Sequence, residues 1–132
     1  MKLITRDTDY AIRAISYIAS TKKKMVSARD LVEVLKIPRP FLRKILQRLN
    51  RAGLLKSYKG QGGGFALEVP PQRISLMRLM NVFQGPFRLN ECFFKKKRCP
   101  NLKRCRLKRR IERIERFIVK ELKAIDMGCL LK

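Results

Sequence analysis

The chain contains no histidine. That single absence removes imidazole acid–base catalysis and every zinc pattern that pairs cysteine with histidine. Acidic residues are scarce as well, ten Asp and Glu against thirty-three Lys and Arg. No paired carboxylates and no Ser/Lys constellation stand out, so an enzyme is not expected. No stretch approaches the roughly 20 apolar residues of a membrane span. The first residues, Met-Lys-Leu-Ile-Thr-Arg-Asp-Thr-Asp, hold no apolar core of the length a signal peptide needs. A cytoplasmic protein with no membrane partner is expected, and there is no internal repeat.

What is present is charge. The 132 residues carry a formal +23, and 45% of them are apolar. That apolar share excludes a disordered tail, and the length allows one domain with a modest core or a small domain plus an appendage. A field of this sign and size attracts polyanions, of which nucleic acid is the commonest. Charge alone leaves a ribosomal-type RNA binder or a protein at an acidic membrane surface as other readings.

Periodicity predicts a mainly α chain. Tyr10, Ala11, Ala14, Ile15, Tyr17 and Ile18 recur at helical spacing and place a first helix over 7–20. Ser27 is a good N-cap for a short second helix with Leu31, Val32 and Leu35 on its apolar face. Ile37-Pro38 breaks that helix, and Pro40 suits the first turn of a third, which runs to about Ala52 with Gly53 as its stop. Leu42, Ile45, Leu46 and Leu49 face inward. Arg39, Arg43, Lys44, Gln47, Arg48 and Arg51 are left for the other face. Two short strands, 54–58 and 65–69, flank Lys59-Gly60-Gln61-Gly62-Gly63-Gly64, a glycine-tipped hairpin. Ser75 caps a helix to about Phe83, and a long helix covers 107–126. Ile111, Ile114, Ile118, Leu122 and Ile125 form a stripe along that last helix, and pairing with a second copy is the simplest way to bury it.

Two short helices, a tight turn, a basic third helix and a glycine-tipped hairpin make a winged helix-turn-helix with a two-stranded β wing. A recognition helix enters the major groove with its N-terminal residues leading. Arg39 and Arg43 can then read guanine edges and Gln47 adenine, while Lys44, Arg48 and Arg51 hold phosphates. A slim tip with Lys56 and Lys59 at its base and Gly60 and Gln61 at its end can enter a minor groove. A nucleotide-binding loop is the weaker reading of these glycines, because a strand follows them where a phosphate loop opens a helix.

Cys92, Cys99 and Cys105 lie within fourteen positions, among Lys95, Lys96, Lys97, Arg98, Lys103, Arg104, Arg106 and Lys108. In a reducing compartment such a cluster points to metal or redox chemistry rather than disulfides. Cationic surroundings favour thiolates and offset the negative charge of thiolate-ligated iron. The residues themselves leave zinc, an iron–sulfur cluster and reactive thiols open.

The segments Leu3-Ile4-Thr5, Asp9-Tyr10-Ala11, Phe41-Leu42 to Leu49, Ala52-Gly53-Leu54, and Ser57 with Lys59 to Phe65, together with the cysteine spacing, make the chain resemble the Rrf2 family of bacterial regulators. Members of that family include iron–sulfur and nitric-oxide sensors. The resemblance spans nearly the whole chain, and the wing and the cysteines are its most specific parts. It implies a homodimer made through the long C-terminal helix, binding a double-stranded DNA operator of two half-sites. It implies an iron–sulfur cofactor, 4Fe–4S or 2Fe–2S, on Cys92, Cys99 and Cys105. Members with a histidine ligand carry it three positions after the third cysteine, where this chain has Lys108. A second family arrangement borrows an Asp near the partner's N-terminus, and Asp9 occupies that position. Cys129 is the other candidate, but as a continuation of the last helix's apolar stripe it is expected to be a packed thiol.

The organisation expected is 1–84 for the DNA-binding unit, 85–106 for a cluster-binding loop and 107–132 for the dimerisation helix and tail. The function expected is a transcription regulator, a repressor, whose operator affinity follows its cluster. A same-fold regulator with zinc or reactive thiols and a basic RNA-binding protein are the alternatives.

Overall fold

The computed structural model describes residues 2–89 and 105–131. Helix α1 spans Arg6–Ser20. Thr5 caps it, its hydroxyl accepting the Thr8 N–H at 3.4 Å, and Asp7 and Asp9 lie in the first turn where the helix dipole favours acids. Ala11, Ala14, Ile15 and Ile18 make one buried face. Helix α2, Ala28–Leu35, starts at the expected cap, with Ser27 Oγ accepting the Asp30 N–H at 3.1 Å. It ends through Lys36, which takes a left-handed backbone (φ 55°) and turns the chain sharply. Ile37 is buried directly after it. The Ile37-Pro38 break is thus a tight turn paid for by one strained lysine, anchored by the isoleucine behind it.

Helix α3, Arg39–Arg51, has Pro40 in its first turn and buries Leu42, Ile45, Leu46 and Leu49. Gly53 (φ 78°) lets the chain reverse, so that the Leu54 N–H reaches the Leu49 carbonyl at 3.0 Å. Strands β1, Leu55–Tyr58, and β2, Gly64–Leu67, pair antiparallel with Leu55 opposite Leu67 and Tyr58 opposite Gly64. A third chain segment joins the wing. Val26 and Phe65 exchange both backbone hydrogen bonds, at 2.8 and 2.7 Å, and tie β2 to the loop before α2. After a 3₁₀ turn at Pro71–Arg73, Ser75 caps helix α4, Leu76–Gln84.

The C-terminal part differs from the expectation in two respects. Helix α5 spans Arg106–Ala124, and at Ile125 the backbone becomes extended. The Ile125 carbonyl accepts the Leu76 N–H at 2.8 Å, and the Met127 N–H donates to the Ile74 carbonyl at 2.9 Å. Those bonds to the segment entering α4 stop the helix short of Asp126. Asp126 caps a separate short helix, α6, Met127–Leu130. Cys129 lies on α6 and is exposed, so it neither continues the α5 stripe nor packs in the core.

The stripe itself divides. Leu122 is 5% exposed, and Ile118, Val119 and Ile125 lie against the same core as α1 and α4. Part of the stripe is therefore satisfied within the chain. Leu107, Ile114 and Phe117 remain 68%, 53% and 65% exposed. Among the described residues no helix is long and apolar enough to cross a membrane.

Candidate nucleic-acid interface and cysteine site

The inward face of α3 is wholly aliphatic, which leaves its polar residues on one outer surface. Arg39, Arg43, Lys44, Gln47, Arg48 and Arg51 are all exposed. Arg39, Arg43 and Gln47, spaced by four, form one line. With Ala28, Leu46 and Phe65 they border a cleft of about 360 Å³ between α3, the start of α2 and the base of the wing. The floor of that cleft is apolar and its rim can donate hydrogen bonds. Arg48 turns the other way, its guanidinium 5.2 Å from the centre of the Phe83 ring on α4. It is held at the flank of the surface rather than free to range over it.

The wing extends the same chemistry. Lys56, Lys59, Gly60 and Gln61 are exposed, and the Lys56 ammonium lies 5.5 Å from the Tyr58 ring centre. Gly60 and Gly62 carry positive φ angles of 94° and 77° at the tip. Gly63 and Gly64 are required for a different reason. A Cβ on Gly63 would strike the Tyr58 carbonyl, and one on Gly64 would come within 2.5 Å of the Val26 carbonyl oxygen. The tip needs turning freedom; the root of β2 needs close backbone approach.

Ion pairs within the described residues are Arg6–Asp7 (3.8 Å), Arg13–Asp9 (3.0 Å), Lys23–Asp30 (3.7 Å), Arg29–Glu33 (3.5 Å) and Lys108–Glu112 (3.8 Å). Among the described residues, none of the α3 or wing cations named above takes part in an ion pair.

Three residues that act through contacts distant in the chain have no helical-period signal in the sequence. The Arg6 guanidinium lies 4.5 Å from the Phe41 ring centre and 5.9 Å from that of Tyr10, adding a cation beside the first turn of α3. Phe41 is 38% exposed in the first turn of α3, which leaves its ring open to that guanidinium. Arg78 donates to the Ala52 carbonyl at 3.2 Å and fixes the end of α3. Gln84, the last residue of α4, holds the N-terminal segment. Its Oε1 accepts from the Thr5 N–H (3.0 Å) and the buried Thr8 hydroxyl (2.8 Å), and its Nε2 donates to the Leu3 carbonyl (3.1 Å).

Of the candidate metal ligands, Cys92 and Cys99 lie outside the described residues. Cys105 is half-buried and is the N-cap of α5, its Sγ accepting the Lys108 N–H at 3.4 Å. The sulfur thus sits at the N-terminus of α5. The Lys108 side chain is occupied by Glu112, as befits a lysine rather than a ligand. Asp9 is half-exposed and carries an i,i+4 ion pair with Arg13; one of its oxygens is committed there. Among the described residues no group of three or more Cys, Asp or Glu side chains lies close enough to hold a metal ion.

Comparison with known proteins gives a consistent result. The Rrf2 family profile, described as an iron-dependent transcriptional regulator, matches residues 4–132. A helix-turn-helix-type transcriptional regulator of Aquifex aeolicus is 32% identical over 90 residues, covering 68% of this chain and 62% of that protein. The helix-turn-helix-type transcriptional regulator NsrR of Shouchella clausii is 30% identical over 91 residues, covering 68% and 61%. The chain thus spans less than two thirds of the length of these curated relatives. Among solved structures, CymR, the global cysteine regulator of B. subtilis, superposes with a TM-score of 0.75 at 20% identity, covering 99% of this chain and 97% of that one. The matched family and the curated relatives are transcriptional regulators.

Proposed function

The chain belongs to the Rrf2 family of transcriptional regulators, and on that basis we propose that it is a sequence-specific repressor, acting as a homodimer on duplex DNA, whose operator affinity is switched by an iron–sulfur cluster. The observation that carries the DNA-binding half is the exposed line of Arg39, Arg43 and Gln47 on α3, bordering a cleft with the base of the wing, with exposed Lys56 and Lys59 beside it. Arg39, Arg43 and Gln47 would lead into a major groove and meet base edges. Lys44 and Arg51 would take phosphates, with Arg48 fixed at the flank by Phe83. Lys56, Lys59, Gly60 and Gln61 form the part of the wing that would enter a minor groove.

In this reading residues 1–84 bind DNA, 85–106 hold the cofactor and 107–132 make the dimer. The exposed Leu107, Ile114 and Phe117 support the last assignment, since a two-fold copy of α5 would cover them. Cys92, Cys99 and Cys105 would hold a 4Fe–4S or 2Fe–2S cluster together with Asp9 of the partner subunit. When bound, such a cluster supplies iron that nitric oxide or oxygen can attack. A cluster would share the Asp9 carboxylate with Arg13 or compete with it. Cys105 caps α5, so a change at its sulfur is felt in the first turn of the proposed dimer helix.

One observation favours a second reading, in which the cysteines respond directly as thiols. The Cys105 sulfur is partly accessible, and the fold is shared with a protein named for cysteine regulation. Anaerobic purification distinguishes the two. The cluster reading expects visible thiolate–iron absorption, lost in Cys105→Ala and altered in Asp9→Ala, and a change in duplex affinity when nitric oxide is added. Colourless protein whose DNA affinity responds to a thiol oxidant would establish the second reading, and preference for single-stranded RNA over duplex DNA would reject both.

A further inference from the structure

A second cationic site lies away from α3 and the wing. The segment after α4 runs back over α5, where the Leu89 N–H donates to Glu115 Oε1 at 3.2 Å. Between that segment and α5 is a groove of about 360 Å³. Its apolar walls are Phe87 and Val119, and its charged edge is Arg88, Arg116, Lys120 and Lys123. Four cations face one carboxylate, and that carboxylate is already engaged by the Leu89 amide. Among the described residues none of the four cations has an ion-pair partner. Arg116, Lys120 and Lys123 follow one another at i,i+4 and i,i+3, a spacing at which like charges repel on a helix. A bound anion would relieve that repulsion.

The groove is not the exposed apolar face of α5. Lys123 follows Ile114 by nine residues, which on an α-helix is about two and a half turns and therefore the opposite side. Covering Leu107, Ile114 and Phe117 with a second copy leaves the groove side of the helix unaddressed. The groove also differs from the surface of α3 in chemistry. The α3 cleft is lined by Ala28, Leu46 and Phe65 with Arg39, Arg43 and Gln47, whereas this groove sets Arg88, Arg116, Lys120 and Lys123 against Phe87 and Val119.

We propose that this groove is a binding site for a small organic anion, a phosphate or carboxylate group carried on an apolar body, with the anion held by Arg116, Lys120 and Lys123 and the body against Phe87 and Val119. The proposal does not depend on the iron–sulfur reading. The test uses the full-length protein with phenyl phosphate, benzoate and inorganic phosphate as probes, read by calorimetry and by the amide NMR shifts of Phe87 and Val119. Phenyl phosphate is expected to bind about tenfold tighter than inorganic phosphate, since partial burial of a phenyl ring is worth about that factor. Benzoate relative to phenyl phosphate tells whether the site takes a carboxylate or demands phosphate. Arg116→Gln with Lys120→Gln should abolish binding of either organic anion, and Phe87→Ala should remove the tenfold preference while leaving inorganic phosphate unchanged. Lys22→Gln with Lys24→Gln, a loss of equal charge elsewhere, should change nothing. Equal affinity for phenyl phosphate and inorganic phosphate, or equal losses in the groove and control variants, would overturn the proposal and leave the groove as one more part of a generally cationic surface.

Discussion

Replacing Gly64 by alanine tests how the wing is mounted. The added Cβ would lie 2.5 Å from the Val26 carbonyl oxygen, 2.7 Å from its carbon and 3.0 Å from the Ser27 nitrogen. All three are backbone atoms, so no side chain can rotate away. The strand must move off Val26, and the two Val26–Phe65 hydrogen bonds, at 2.8 and 2.7 Å, must lengthen or break. Losing two such bonds costs about 1 kcal/mol each. Overpacking adds ~1–3 kcal/mol, so the whole effect is about 3–5 kcal/mol. Gly62→Ala is the matched control. Its φ is +77° with nothing within 4 Å, so only the left-handed backbone is penalised, by ~1–2 kcal/mol. Urea titrations followed by circular dichroism compare the two variants directly. Gly64→Ala should unfold at clearly lower denaturant than Gly62→Ala and should also bind duplex DNA less well, because its wing is displaced from α3. Equal midpoints would show that the contact with Val26 does not hold the wing and would refute this account.

Arg43→Ala should cost ~1–3 kcal/mol on the cognate operator and relax sequence preference, whereas Lys44→Ala should weaken cognate and scrambled duplexes alike; fluorescence anisotropy on both duplexes separates the two, and equal losses for Arg43→Ala would make it a phosphate contact. Ile114→Asp with Phe117→Asp should give a folded monomer in analytical ultracentrifugation, because both side chains are exposed within the chain. Leu122→Asp, by contrast, buries an unpaired charge and should destabilise the fold itself, read as a lower melting temperature. Gln84→Ala removes the acceptor of the buried Thr8 hydroxyl and of the Thr5 N–H, and should lower unfolding free energy by about 1–3 kcal/mol. Unchanged stability in that variant would mean that water replaces the amide.

Local chemistry made much of the DNA-facing half legible. Ser27 and Ser75 are caps whose hydroxyls accept the amide three residues on, and that preference needs no partner from elsewhere in the chain. Pro40 and Gly53 bracket α3 for equally local reasons, proline by its fixed φ and glycine by its freedom at positive φ. The period of Leu42, Ile45, Leu46 and Leu49 left Arg39, Arg43 and Gln47 on the outside. The cleft they form with Ala28 and Phe65 was not legible, because it depends on where two other elements come to lie.

Caps, helix period, the glycine-rich tip and the excess of positive charge were thus determined by the sequence itself, since each arises from interactions among residues close together in the chain. Tertiary structure alone decided the rest. Ile125 has an unbroken helical pattern before it, yet its carbonyl is taken by Leu76 and the helix ends. Leu122 and Ile114 belong to one stripe, but α4 and the core cover the first and leave the second exposed. Arg48 and Arg6 look like any other surface cations until Phe83 and Phe41, distant in the chain, come beneath them. In each case the deciding contact is between residues far apart in sequence, and no local preference for dihedral angle, spacing or charge encodes which distant surface will arrive.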